Sequence, residues 1–242
     1  RGSEAGCGRG AMLPFTADVL SASLQAYNRG LRPLHLLAFL LALATIVLTL
    51  RPAPHGDRAI AAVLAAAWIW VGIGWFNLHL ATIDFAAPPY AAFCVLEGLL
   101  IAWAGLVRSP IAFRFRADLC GWTGLALALT AVAAYPLADG LTGLGWPSIR
   151  LVGLAPGPTT AFTFALLLLA EGRTPLRLAV VPLLWTLVAG ATGWVLGTPQ
   201  DQASPLVRVG GFALVLWRNR RRPRGMEASQ RGERPRLSRP GR

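Results

Sequence analysis

Apolar residues fall into seven runs divided by short polar turns. The first covers Leu34 to Leu50 and is closed by Arg51 and Pro52; the second, rich in small residues, covers Ala59 to Leu80. The third extends from Pro89 to Val107, the fourth from Leu119 to Ala138, the sixth from Leu176 to Gly197 and the seventh from Ala203 to Trp217. The fifth is different. Its apolar part, Thr159 to Ala170, makes a helix of roughly 18 Å at 1.5 Å per residue, against a hydrocarbon core of about 30 Å. Pro156-Gly157-Pro158 stands just before it, where two prolines remove backbone donors and glycine permits a tight turn. The pattern predicts a broken membrane segment whose helix begins below the surface.

Ahead of these runs, residues 12–33 have Thr16 as a candidate N-cap, Asp18 in the first turn, and Val19, Leu20, Leu24 and Tyr27 at near-helical spacing. They predict a short amphipathic helix at the membrane interface. Residues 1–11 precede Met12 and are read as an extension outside the fold. Residues 218–242 are rich in arginine and proline and predict a disordered cytoplasmic tail. The expected architecture is an all-α polytopic membrane bundle over residues 34–217, with about seven transmembrane helices.

Composition agrees. The 242 residues are 55% hydrophobic and only 14% charged, with mean hydropathy +0.52, where a soluble domain carries about 25% charge. Every one of the 23 basic residues is arginine, and their positions set an orientation. With seven spans and the N-terminus outside, the cytoplasmic side receives Arg51, Arg58, Arg108, Arg114, Arg116, Arg173, Arg177 and the tail; the outside receives Arg29, Arg32, Arg150 and, by snorkelling, Arg208. Placed directly after a span, the basic tail is a topology determinant and a contact for anionic lipid headgroups, and no nucleic-acid partner is expected. Cys7, Cys94 and Cys120 have no CxxC spacing, so neither a disulfide framework nor a zinc ribbon follows. Oligomeric state is not legible.

In that topology the outer side collects the non-arginine polar groups: His35, Asn77, His79, Asp84, Asp139, Thr159, Thr160 and Asp201, with Thr163 a turn further along the short helix. Glu97 lies deeper, in the third span, one turn from Cys94. An ionisable group inside a span costs about 2.5 to 3.5 kcal/mol on insertion scales and so marks a candidate site. The alternative for Glu97 is a neutral acid hydrogen-bonded to a neighbouring helix. The broken start at Pro156 to Thr160 resembles half-helix ends that hold anions or polar solutes, or is a helix capped inside the protein. His35, His79 and an aspartate would suffice for a catalytic metal, yet no HxxxH or HExxH spacing draws them together. No cofactor is implied. Trp68, Trp70 and Trp185 fall mid-span, as core packing or the wall of a pocket.

Several segments carry a family resemblance: M-L-P-F-T at Met12 to Thr16, A-Y-N at Ala26 to Asn28, W-I-W-V-G-I at Trp68 to Ile73, and A-F-R-F-R-A-D-L-C-G-W at Ala112 to Trp122. It continues with P-G-P-T-T-A-F-T-F-A-L-L-L-L-A at Pro156 to Ala170 and V-P-L-L-W-T-L-V-A-G at Val181 to Gly190. The chain resembles bacterial multi-pass membrane proteins grouped as domain of unknown function 6064. The resemblance implies an integral membrane protein and brings no assigned activity; the expected location, from the reading as a whole, is the bacterial inner membrane. Trp75-Phe76 and Asp84-Phe85 stand where relatives often have a histidine and an Asn-Pro, and Gly157 where a cysteine is common.

The functional expectation is small-solute or ion transport or sensing through an outer polar vestibule. Its ligand-binding candidates are Asn77, His79, Asp84, Thr159, Thr160 and Thr163, above Glu97. The alternatives are an intramembrane metal-dependent hydrolase and a structural protein without a ligand.

Overall fold

The computed structural model describes residues 16–108, 111–141, 146–196 and 199–221. The extension at 1–11 and the tail beyond Arg221 lie outside these residues. Among the described residues the chain is helical, with no strand beyond one isolated bridge between Phe113 and Ala170.

Helix α1, Ala17–Gly30, starts as the sequence predicts: the Thr16 hydroxyl accepts from Val19 N at 3.4 Å and Asp18 occupies the first turn. Helix α2, Arg32–Leu50, leaves Leu36, Leu37, Leu40 and Val47 exposed, an apolar face compatible with a membrane. Five segments are long and apolar enough to cross a membrane: Arg32–Leu50, Gly56–Thr82, Ala87–Arg108, Leu119–Leu141 and Leu176–Val195. They coincide with the long apolar runs. The seventh run falls in α9, Pro199–Arg221, which is not in that group and carries Arg208, Arg218, Arg220 and Arg221; the helix continues past Trp217.

Three segments change pitch. Helix α3, Gly56–Trp70, passes into a π-helical stretch at Val71–Asn77; α4, Ala87–Ala102, does so at Trp103–Arg108; α5, Leu119–Leu129, does so at Thr130–Ala134 before α6, Tyr135–Leu141. Helices α3 and α4 approach closely enough to require glycine. A Cβ on Gly98 would lie 2.7 Å from the Ala65 carbonyl oxygen, and one on Gly72 2.8 Å from that of Ala91.

At the centre stands α7, Pro156–Leu169. It begins three residues earlier than the apolar pattern predicts, because Pro156 is pre-set for the first helical position. Its 14 residues span only about 21 Å, and all but Gly157 are buried. α5, α8 and α9 pack around it, with a narrower contact to α3. A helix enclosed in this way has no water at its ends, so its unpaired backbone groups must be met by protein.

Both ends obey this demand. At the start, Pro156 and Pro158 have no N–H, which leaves Gly157 as the one donor among the first three residues. At the finish, the Arg218 guanidinium donates from α9 to the carbonyls of Leu168 at 2.5 Å and Leu167 at 2.9 Å, and also bonds the Thr174 hydroxyl. Arg114 N donates to Leu169 O at 2.9 Å, and Glu171 N to Ala112 O at 2.7 Å, so the stretch beside Phe113 seals the end of the helix. The same stretch is pinned to α3, where Asp57 accepts from Phe113 N at 2.9 Å and pairs with Arg114 at 2.5 Å. A cation at a helix C-terminus is also favoured by the dipole.

Replacing Arg218 by methionine therefore strands two buried carbonyls. Thermal unfolding in mild detergent should show a loss of about 3 kcal/mol, since each buried acceptor left unpaired costs about 1 to 3 kcal/mol. The exposed Arg221, stacked on Trp217 at 4.3 Å, serves as the comparison; Arg221→Met should change stability by no more than about 0.5 kcal/mol.

Candidate functional site

Glu97 is the candidate inside a span whose chemistry the fold leaves open. It sits on the buried face of α4 with Cys94, Gly98 and Ile101, beside the close contact with α3. The side chain is fully buried, and both carboxylate oxygens lack a hydrogen-bond partner among the described residues. Ionised and alone, a carboxylate there would carry several kcal/mol of desolvation cost. The group is therefore stable only as the neutral acid, or with a cation held against it.

The end of the bundle at which α2 and α7 begin, hereafter the upper end, carries the other candidates. Asn77 closes the π-helical stretch and is exposed. His79 donates from Nδ1 to Gly74 O at 2.9 Å and packs edge-on against Tyr27, 4.8 Å between centroids. Asp84 is buried and accepts from Ala86 N at 2.9 Å, bracing the turn into α4. The threonines face inward. Thr159 Oγ1 accepts from Gly153 N at 2.8 Å and donates to Ala155 O at 2.6 Å; Thr160 donates to Pro156 O at 2.8 Å. Thr163 donates to Thr159 O at 2.8 Å and accepts from Trp68 Nε1 at 2.9 Å. Every threonine proton is thus committed to its own helix. His79 and Asn77 share the upper end of one span, whereas the threonines lie inside the bundle on α7.

A second set of upper-end contacts was not legible in the pattern. Tyr27 from α1 donates to Leu154 O at 3.1 Å and accepts from Trp70 Nε1 at 2.9 Å, while Asn28 Nδ2 donates to Pro147 O at 2.6 Å and Ile149 O at 2.9 Å. Burial pushes the Tyr27 hydroxyl above its ordinary range, partly offset by the Trp70 N–H. Helix α1 is therefore fastened to the loop that leads into α7. Beside it, Asp139 and Arg150 form an ion pair at 2.7 Å, and the Arg150 and Arg208 guanidinium groups lie 5.7 and 5.9 Å from the Tyr135 ring centre, with Arg208 donating to the Tyr135 hydroxyl at 2.5 Å. The buried Asp139 could be suspected from its place at a span end; its pairing with Arg150 depends on the loop path. Arg208, buried on α9, is the arginine expected to snorkel. The side chain of Asp201 lies outside the described set.

No group of three His, Cys, Asp or Glu side chains among the described residues is placed to hold a metal ion. His35, the other histidine of that reading, donates from Nδ1 to Leu31 O at 2.8 Å and packs edge-on to Trp146. Trp68 belongs to the core, and Trp185 packs with Phe76 and Tyr90 at centroid distances of 5.0 and 5.8 Å.

Fold and site together define an all-helical protein with membrane-compatible spans and an unpaired carboxyl buried in one of them. The chain belongs to the family of unknown function DUF6064, whose model matches residues 17–226. No curated protein and no solved structure is detectably similar to it.

Glu97 without a partner should weaken the fold. Glu97→Met removes two unsatisfied buried oxygens at similar volume, and should raise the unfolding free energy by roughly 1 to 3 kcal/mol. A lower midpoint in thermal unfolding would show that the carboxyl has a bonding partner within the protein.

Proposed function

We propose that this chain is a seven-pass protein of the bacterial inner membrane, N-terminus outside, that transports or senses a small solute or ion. Glu97 is the group that takes up and releases a proton or small cation. The observation that carries this reading is the fully buried, unpartnered Glu97 carboxyl within a span. A lone carboxyl that makes no bond among the described residues is free for other chemistry, and at that depth the available chemistry is exchange of a cation. The π-helical stretches at Val71–Asn77 and Trp103–Arg108 flank the α3–α4 contact, and such stretches are frequent where helices must adjust for function.

The arginine distribution supports the orientation, since it loads one side of the bundle. Asn77, His79 and Asp84, at the upper end of the same two spans, form the approach on the outer side. The threonines of α7 serve the packing of the central helix and stand outside the ion path. The arginine-rich tail faces anionic lipid on the cytoplasmic side. A metal-dependent hydrolase finds no supporting arrangement among the described residues, where no three His, Cys, Asp or Glu side chains converge.

The test is a lumenal pH record from proteoliposomes challenged with a panel of monovalent cations and small neutral solutes. The reading predicts that at least one produces a pH change and that Glu97→Gln abolishes it. Equal traces from both proteins would remove Glu97 from the mechanism.

A further inference from the structure

The upper end of α2 borders a cleft of about 460 Å³ that is separate from Glu97 and from the α3–α4 contact. Its walls are Leu36 and Phe39 of α2, Pro136 of α6, and Ile149 and Leu151 of the loop before α7. Leu36 and Phe39 are exposed, so the cleft opens on the apolar face of the bundle. The volume lies within the usual range of roughly 300 to 1,000 Å³ for pockets that hold a small molecule.

One rim is polar. Arg32, His35 and Trp146 line it, with the Arg32 guanidinium 4.8 Å from the Trp146 ring centre and His35 edge-on to the same ring at 5.9 Å. Arg32 is exposed and has no carboxylate partner among the described residues. His35 donates from Nδ1 to Leu31 O, and its Nε2 is buried without a partner. The walls are held in place from outside the cleft. Asn28 bonds the carbonyls of Pro147 and Ile149, and Asp139 accepts from Arg150 N at 2.8 Å as well as pairing with its side chain. A preformed wall lowers the ordering cost of binding.

An apolar slot that begins beside an arginine at the first turn of a membrane-type helix matches an amphiphile with an anionic head. We propose that this cleft holds one acyl chain of an anionic membrane phospholipid, with Arg32 on the phosphate and Trp146 at the level of the glycerol backbone. Guanidinium forms charge-assisted, forked hydrogen bonds to phosphate oxygens, and its stacking on Trp146 fixes the fork at the rim. Leu36, Phe39 and Ile149 exclude water along the chain. The inference does not depend on Glu97 and would stand if the ion reading failed.

Native mass spectrometry tests it on the full-length protein released from micelles that contain equal amounts of phosphatidylglycerol and phosphatidylethanolamine with the same chains. Wild type should retain phosphatidylglycerol in preference. Arg32→Gln should lower that preference about five-fold, the effect of one interfacial arginine, while Arg32→Lys keeps most of it. Ile149→Trp, which fills the slot, should lower retention of both lipids. Arg29→Gln, three residues earlier in α1 and bonded to Gln25, is the control and should match wild type. The proposal is overturned if wild type retains no lipid, if it retains both equally, or if Arg29→Gln and Arg32→Gln fall together.

Discussion

A backbone that leaves water must close its own hydrogen bonds, and in this protein that constraint bears hardest on the 14 residues of α7. A full-length span can extend its ends toward headgroups; this helix stops inside the protein at both. Its start is made tolerable by prolines, which have no N–H to leave unpaired, and its finish by Arg218 and the stretch around Phe113, which supply donors to the last carbonyls. The surrounding helices then do what lipid does for a longer span. The other assignments follow from this enclosure: α9 must carry a buried arginine, α5 must pass close to α7 with glycine at Gly124, and the loop before Pro156 must fold inward.

Much of the architecture is legible before any coordinates. Bilayer thickness acts on run length, so the five long spans and the shortness of the fifth run can be read directly. The Thr16 cap is equally local, because it depends on a single residue and the apolar positions after it. What a run-length argument misses is the destination of polar groups. Arg218 reads as part of a solvated tail, since nothing near it in sequence indicates that its guanidinium reaches 50 residues back to Leu168. Thr159, Thr160 and Thr163 read as donors at a helix start, yet each reaches the carbonyl four residues earlier, which a one-dimensional pattern cannot distinguish from facing a cavity. Tyr27 and Asn28 are similar, because their partners lie in a loop more than a hundred residues away.

Glu97 is legible for the opposite reason. Its significance comes from isolation, and a lone acid inside an apolar run is visible in sequence as surely as in space. The structure adds that its oxygens are unmatched among the described residues and that it lies beside a close helix contact, where small residues let α3 and α4 approach. Polar groups that close α7 and a polar group that closes nothing are thus sorted by the same criterion. The first set maintains the fold; the second makes no bond within it among the described residues.

The enclosure of α7 is the claim on which this division rests, and accessibility to a membrane-impermeant maleimide measures it most directly. In a background lacking Cys7, Cys94 and Cys120, Asn77→Cys and Thr160→Cys place thiols at two upper-end positions, the first exposed and the second fully buried. Reagent added from the side that labels Asn77→Cys should leave Thr160→Cys unmodified until the protein is unfolded. Equally fast labelling of Thr160→Cys in the native protein would show that α7 begins in water, and the account of its ends would be wrong.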